Sequence, residues 1–381
     1  MTTRRKFLKS VALLGAATTL PLHSHSAEGA QAAPPENAHR FPVSFGGKVH
    51  PPKLPPRKIT IPNVGEYTVL KGDFHMHTIF SDGTEMPQQR VLDAVDNGFD
   101  AISITDHIES YNRRLGHRSD DLNIGYELAK TEADKHHLIL VRGGEITKPA
   151  WHFNALFIED LNPIAAVRND WTAMAAVASD QGGFVVWNHP NWIAPAESPV
   201  GLKRGEPMRF HDEIEEVRKK GHLHGIEVFS NSACIYNPIA HDWCNERDLA
   251  VLAISDIHPG ELERFGRQNL LRPMTLVLAK ERTLESMREA FFAQRVVGWA
   301  ANMIMGRQPW VEKLFRSCVE INKTESGLTL RNRSDIPCVI EVNGAPSELP
   351  SQGSVRIAAT NKLTVTNWLI GTYRPLEIDL A

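Results

Sequence analysis

The chain has 381 residues and a mass of 42.5 kDa, and 42% of its residues are hydrophobic and 23% charged. These values exclude disordered, collagen-like and coiled-coil proteins and predict one large domain with a smaller one. The net charge of -3 gives no sign of a nucleic-acid partner or a membrane surface. Four cysteines are too few for a disulfide scaffold, whereas 17 histidines are an unusually high count.

Residues 1–32 have the pattern of an export signal. The run RRKFLK at residues 4–9 precedes an apolar stretch over residues 11–22. That stretch is too short and too rich in small residues for a permanent membrane span. The run resembles the bacterial twin-arginine (Tat) signal. We therefore expect a periplasmic or secreted protein that is not inserted in the membrane after the signal is removed.

Residues 33–66 have the composition of a linker or an extended arm. Eight of the 24 prolines lie between residues 34 and 62. Clustered prolines favour extended, semi-rigid chain over a packed core. We expect the first folded domain to begin at about residue 67.

Residues 67–315 alternate apolar runs of strand length with helical patterns. Such alternation is typical of βα units around a parallel sheet. Strands are predicted at 68–74, 101–105, 138–142, 153–158, 184–187, 225–229 and 251–254. Helices are predicted at 88–97, 123–135, 171–180, 212–219 and 283–294. This pattern predicts an α/β fold.

The pattern changes after Trp310. Short β runs follow, separated by Asn, Gly, Ser and Pro, and no helix-length pattern is expected among them. These runs are 318–321, 327–331, 338–342, 355–358 and 363–366. The interpretation is a small all-β domain over residues 316–381.

Residue types that bind metals lie at the ends of the predicted strands. His75 and His77 follow the first strand, and residues i and i+2 of a strand share a face, so both imidazoles can reach one ion. The remaining clusters contain Asp82, Asp106, His107, Glu145, His152, His189, Asp256 and His258. In barrel enzymes the C-terminal ends of parallel strands carry the chemistry. Their joint placement predicts a metal centre.

These motifs, in this order, resemble the PHP (polymerase and histidinol phosphatase) family of metal-dependent phosphoesterases. The matching motifs are HMHT at 75–78, SDG at 81–83, TDH at 105–107, GE at 144–145, HFNAL at 152–156, NHP at 188–190 and DIH at 256–258. The resemblance covers about residues 67–300. It implies a distorted (β/α)7 barrel that holds two or three divalent ions, usually manganese, zinc or iron.

The resemblance also implies a set of ligands. The first ion would be held by His75, His77, Glu145 and Asp256. Glu145 would bridge to a second ion held by His152 and His189. A third site would consist of Asp82, His107 and His258. Mixed nitrogen and oxygen donors suit such ions, and a carboxylate can bridge two of them.

The expected reaction is hydrolysis of a phosphate ester. Paired ions activate a shared water and clamp the phosphoryl oxygens, so no side-chain nucleophile is required. We expect metal-bound hydroxide to attack phosphorus while Asp256 orients or deprotonates the water. Arg113 and Arg142 are candidates to bind the anionic substrate, although surface ion pairs would explain them equally well. Three tryptophans could form an apolar wall for the leaving group or could be packing residues: Trp151, Trp187 and Trp192.

Two alternatives stay open. Amidohydrolases also begin with His-x-His and end with a metal-binding Asp, but their bridging group is usually a carboxylated lysine where this chain has Glu145. The other alternative is a non-catalytic metal-binding module. Export and the lack of a basic patch disfavour a nucleic-acid substrate. We therefore expect small phosphate esters as substrates, with phosphodiesters slightly preferred over phosphomonoesters.

Overall fold

The computed structural model describes residues 57–109, 120–147, 151–192, 208–230, 235–260, 271–325 and 327–380. The predicted export signal, most of the predicted linker and Arg113 lie outside these ranges. Within the ranges, none of the helices is long and apolar enough to cross a membrane.

The strands of the barrel region are β1 Thr68–Asp73, β2 Ala101–Ile104, β3 Ile139–Ile146, β4 Phe153–Leu156, β5 Phe184–Trp187, β6 Gly225–Ser230, β7 Ile235–Tyr236, β8 Ala250–Ile254, β9 Met274–Ala279, β10 Val296–Ala300 and β11 Met303–Gly306. Those that follow are β12 Val319–Thr324, β13 Gly327–Asn332, β14 Cys338–Val342, β15 Ala345–Leu349, β16 Ser354–Ile357, β17 Lys362–Leu369 and β18 Pro375–Asp379. The helices are α1 Pro87–Asp96, α2 Ile124–Lys135, α3 Asn162–Ala166, α4 Trp171–Asp180, α5 Asp212–Lys219, α6 Pro238–Arg247, α7 Leu284–Phe292 and α8 Gln308–Cys318.

The sheet is rich in parallel pairs, which confirms the predicted α/β fold class. Strands β1, β2 and β3 pair in parallel, as do β5, β6 and β8. Strand β4 pairs antiparallel with both β3 and β5. Residues 147–152, which join β3 to β4, are too few for the crossover that parallel pairing needs.

The side chain of Thr275 on β9 forms hydrogen bonds with the backbone of β8. The Thr275 hydroxyl donates to the carbonyl oxygen of Ala253 at 2.9 Å, and the Ala253 N–H donates to the Thr275 hydroxyl oxygen at 3.2 Å. Gly298 on β10 packs against the same residue, since a Cβ there would lie 2.8 Å from the Cβ of Ala253. These contacts bring β8 against β9 and β10.

Helix α8 corrects the expectation that no helix follows Trp310. Its buried positions are Val311, Leu314, Phe315 and Cys318. That spacing of i, i+3, i+4 and i+7 places all four on one helix face. The helix therefore runs through the predicted domain boundary at residues 315 and 316.

The C-terminal strands continue the barrel sheet. Strand β17 pairs in parallel with β11, with Ile304 opposite Trp368, and β14, β15 and β18 extend the sheet from β17. Strands β12, β13 and β16 form a separate three-stranded sheet. One hydrophobic core contains barrel residues such as Met76 and C-terminal residues such as Leu330 and Trp368. The two regions therefore share buried surface.

Candidate metal centre

The two histidines that follow β1 converge with the aspartate that follows β8. His75 Nε2 lies 3.2 Å from His77 Nε2, and these atoms lie 3.2 Å and 3.1 Å from the same oxygen, Asp256 Oδ1. The histidine side chains are fully buried, as is Met76 between them. Strand-like alternation directs both imidazoles to one side and Met76 into the core.

Glu145 lies at the middle of the cluster, fully buried on β3. Its Oε1 lies 3.1 Å from His152 Nδ1, 3.3 Å from His75 Nε2 and 3.6 Å from His189 Nε2. Its Oε2 lies 2.8 Å from His107 Nδ1 and 3.5 Å from His77 Nε2. One carboxylate thus faces five imidazoles, with each oxygen turned to a different subset.

Asp82 lies on the solvent side of the cluster, close to three histidines. Its oxygens lie 3.3 Å from His107 Nε2, 3.2 Å from His258 Nε2 and 3.5 Å from His77 Nδ1. The Asp82 side chain is 52% exposed and the His258 side chain 32% exposed, whereas Glu145 has no exposed surface. The cluster therefore runs from a buried floor to an open rim.

Donor atoms that lie close enough to share one ion form four groups. The groups are His77, Asp82, His107 and His258; His75, Glu145 and His189; His75, His77 and Asp256; and His107, Glu145 and His152. Each of the nine residues predicted as ligands belongs to at least one of these groups. The grouping differs from the expected one. His77 also joins the Asp82 group, and His152 and His189, expected at one ion, fall in separate groups, with His107 and with His75.

Electrostatics keep the carboxylates ionised. Burial alone would raise the pKa of Glu145, but the neighbouring His152, His75 and His107 hold it well below its usual value. The pKa of Asp256 is lowered in the same way, because the pull of His75 and the hydrogen bond from His77 outweigh its burial. Both carboxylates are therefore in the ionised form that can serve as an oxygen ligand.

The histidines divide into two kinds. Burial opposes protonation of His75, but Asp256 and Glu145 outweigh it and raise the pKa of His75. Burial, together with His258 and His107, lowers the pKa of His77 to about 3. His77 is therefore a neutral imidazole, the form that can bind a metal ion.

The donor set fits divalent metal ions. Two buried donor atoms of the centre, His107 Nδ1 and Glu145 Oε2, lie 2.8 Å apart but form no hydrogen bond of acceptable geometry within the described ranges. Buried polar atoms are normally satisfied, so unpartnered atoms in one cluster indicate a missing partner such as an ion. Imidazole nitrogens and carboxylate oxygens are ligands for zinc, manganese and iron.

Polar neighbours hold the ligands in place. Asn188 Nδ2 donates to Glu145 Oε1 at 2.7 Å and to Asn154 Oδ1 at 3.0 Å. The backbone of His189 has φ 24°, and that of Asp256 has φ 51°. Left-handed backbone is uncommon for residues other than glycine and is concentrated at functional sites.

Two residues near the cluster were not predicted from the sequence to belong to the site. Glu227 lies buried on β6 beside His75, and Arg90 lies buried on α1 against the backbone of His77 and His258. Neither belongs to a strand-end motif. The one local signal was a carboxylate inside the otherwise apolar run GIEVF at residues 225–229.

Of the two predicted substrate-binding arginines, the structure describes Arg142 alone. Arg113 lies outside the described residues. Arg142 pairs with Glu127 at 2.7 Å and stacks over the Tyr126 ring at 4.0 Å. Its role toward substrate stays a prediction.

The three tryptophans occupy different surroundings. Trp187 is buried and stacks on Trp243, which makes it a packing residue. Trp151 is partly buried against the same core. Trp192 lies beside two predicted ligands, with its ring 5.5 Å from that of His152 and 6.0 Å from that of His189.

Comparisons with known proteins place this cluster in context. Neither a protein-family model nor a curated protein matches the chain. The chain is similar to the crystal structure of a two-domain protein from Bacteroides vulgatus that contains a predicted PHP-like metal-dependent phosphoesterase. The identity is 31%, the alignment covers 86% of this chain and 98% of that one, and the TM-score is 0.76.

Two further structures align with about half of the chain. One is a protein of Bifidobacterium adolescentis inferred to be a metal-dependent phosphoesterase, with 18% identity, coverage of 50% of this chain and 88% of that one, and a TM-score of 0.38. The other is an amidohydrolase from Chromobacterium violaceum, with 15% identity, coverage of 51% and 89%, and a TM-score of 0.36. Since the Bacteroides protein matches over nearly its whole length at 31% identity, the chain belongs to the family of PHP-like metal-dependent phosphoesterases.

Proposed function

We propose that the protein hydrolyses small phosphate esters with two or three bound divalent ions, manganese, zinc or iron. The observation that carries this proposal is the position of Glu145. Its two oxygens face five imidazoles at 2.8–3.6 Å, which is what a carboxylate shared between ions requires. The predicted ligands supply the other donors: His75, His77, Asp82, His107, His152, His189, Asp256 and His258.

When bound, paired divalent ions lower the pKa of a water and neutralise charge that develops on the phosphoryl oxygens. The chain positions the remaining groups. Asp256, ionised beside His75 and His77, can accept a hydrogen bond from the attacking water and orient it. Asp82 and His258 form the open rim through which an anionic ester can approach.

We further propose that phosphodiesters are slightly preferred over monoesters. A monoester carries an additional negative charge and favours a cationic clamp. Arg142, one of the two cations considered for that role, is occupied by Glu127. The Trp192 ring beside His152 offers an apolar surface to a second ester group.

The activity is tested on the purified mature protein. Bound metals are measured by elemental analysis, and rates are measured with p-nitrophenyl phosphate, bis(p-nitrophenyl) phosphate and a nitroanilide. The double variant His75→Ala plus Glu145→Ala should lose metal and turnover, whereas Glu348→Gln, an exposed carboxylate on β15, should retain both. The ratio of the two phosphate rates decides between diester and monoester.

Other outcomes would identify the alternatives. Nitroanilide turnover without phosphoester turnover would favour an amidohydrolase-type C–N hydrolase. Bound metal without turnover of any of the three compounds would favour a non-catalytic metal-binding module.

We also propose periplasmic or secreted localisation through the twin-arginine signal. Cell fractionation of the wild type should find a shortened chain outside the cytoplasm. A variant with Arg4→Lys and Arg5→Lys should stay in the cytoplasm at full length. Equal export of both would contradict a Tat signal.

A further inference from the structure

We propose that Glu227 is a positioning residue of the metal centre, which orients His75 and His189 through hydrogen bonds to one carboxylate oxygen. This inference rests on the proposed metal-dependent function. It assigns a role to a residue that belongs to none of the four donor groups.

Glu227 contacts two predicted ligands at once. Its side chain is buried, and its Oε2 accepts the backbone N–H of His189 at 2.8 Å. The same oxygen lies 3.4 Å from His75 Nδ1. Burying a carboxylate is costly unless it has partners, and these contacts of Glu227 are both to ligand residues.

The orientation of His75 explains what the carboxylate can do. His75 Nε2 faces the centre, 3.2 Å from Asp256 Oδ1 and 3.3 Å from Glu145 Oε1. Its Nδ1 lies 3.4 Å from Glu227 Oε2 and has no hydrogen-bond partner in the described structure. A metal-binding imidazole usually donates its second N–H to a carboxylate or carbonyl, which sets the tautomer and the ring orientation. Glu227 is the acceptor in position to do this.

The hydrogen bond from His189 to Glu227 stabilises an unusual backbone conformation at His189. His189 has φ 24°, and its Nε2 lies 3.6 Å from Glu145 Oε1 and 3.9 Å from Asp256 Oδ2. Such a conformation persists only where surrounding contacts fix it. The hydrogen bond from the His189 N–H to Glu227 holds the His189 backbone in this conformation, and the imidazole of the same residue faces the centre.

An irregularity in β6 accompanies this carboxylate. The pairing of β6 with β8 places Glu227 opposite Leu252 and Phe229 opposite Ala253, so the register shifts between the two β6 residues. A bulge of this kind bends the strand and redirects a side chain, and bulges are frequent next to active sites. The bulge begins at the residue that contacts both ligands.

The test compares metal affinity with stability in the Glu227→Gln variant. The apo-proteins are titrated with zinc against a chromogenic chelator, and the cobalt-loaded proteins are examined by visible absorption. Zinc affinity should fall about 10- to 100-fold, the usual loss for such an outer partner, and the cobalt spectrum should change. The apo-protein should melt at the wild-type temperature or above it, because glutamine still accepts the His189 N–H and removes a buried charge.

Tyr236→Phe is the matched control. The Tyr236 hydroxyl lies 2.8 Å from His241 Nδ1 and donates to the Gly371 carbonyl at 2.9 Å, and it contacts no ligand. This variant should lower the melting temperature and leave zinc affinity unchanged.

Two results would overturn this inference without affecting the proposed function. One is zinc affinity of Glu227→Gln within about threefold of the wild type. The other is a loss of affinity that only accompanies a lower melting temperature and appears equally in Tyr236→Phe. A wild-type protein that binds no zinc, manganese or iron would instead overturn the proposed function.

Discussion

Arg90 donates from its Nη2 to the main-chain carbonyl of His258 at 2.8 Å. The same guanidinium donates from Nε to the His77 carbonyl at 2.9 Å and from Nη1 to the Pro259 carbonyl at 2.9 Å. The side chain is fully buried on α1. It therefore ties the chain that follows β1 to the chain that follows β8, and both segments carry predicted ligands.

Replacing Arg90 by lysine should loosen this connection. An ammonium group cannot reproduce the planar fork that reaches three carbonyls, and each buried carbonyl left unpaired costs about 1–3 kcal/mol. We expect Arg90→Lys to lower the melting temperature and to reduce the metal content per chain, since His258 and His77 share one donor group. The exposed Arg316 pairs with Glu312 within one helix, so Arg316→Lys is the control and should change neither. Full metal content in Arg90→Lys would contradict the prediction.

Chelation of bound metal should destabilise the protein. Glu145 and Asp256 are fully or almost fully buried carboxylates, and burying such charges is costly unless they are paired, so a bound cation should stabilise the folded state. A ligand at 100 times its Kd stabilises the folded state by about 2.7 kcal/mol. Differential scanning calorimetry should show a rise of several degrees in melting temperature when zinc or manganese is added to the apo-protein, and no rise when metal-free buffer is added. An unchanged melting temperature would argue against metal binding in the folded state.

His224 predicts a stability change at acid pH that is separate from the metal centre. Its Nδ1 accepts the Val185 N–H at 2.9 Å, and burial, together with the nearby His222, lowers its pKa to about 4. Because the unfolded state, with a pKa near 6.5, binds the proton more readily, the stability from neutral His224 is fully present above pH 6.5. It is lost as the pH falls toward 4, by at most about 3 kcal/mol.

The comparison uses apo-protein and chemical denaturation between pH 4 and pH 7. His224→Gln, which retains an acceptor for the Val185 N–H, should lose less stability across this range than the wild type. His136→Gln, at an exposed histidine after α2, should follow the wild-type curve. Parallel curves for all three proteins would refute the role of His224.

Removing the C-terminal region should prevent stable folding of the barrel. A chain that ends at residue 315 would cut α8 near its last turn and remove Trp368, which lies opposite Ile304 in the sheet. Because the core is continuous across this position, truncation would expose buried apolar surface. We expect residues 57–315 to be insoluble or to lack a cooperative melting transition. A soluble, cooperatively melting fragment would show that the barrel folds alone.

Local patterns in the sequence were sufficient to predict where seven of the strands from β1 to β8 lie and which residue types could bind metal, although β3 extends to Ile146 and so includes Glu145. The run HMH at 75–77 and the run DIH at 256–258 each follow an apolar strand, and strand alternation directs their side chains without reference to the rest of the chain. The predicted strands 184–187 and 338–342 coincide with β5 and β14. The continuous apolar runs of β9 and β10 were not predicted, because an apolar run alone does not distinguish a buried strand from a buried helix.

The sequence by itself thus determined the α/β class and the residues able to bind metal, since both depend on residue type and short-range spacing. Only the tertiary structure decided which donors share a group and how the C-terminal strands join the barrel. It alone identified Glu227 and Arg90, because their contacts connect residues as far apart as 90 and 258. Such contacts depend on the barrel bringing distant strand ends within a few ångströms, which no local pattern encodes.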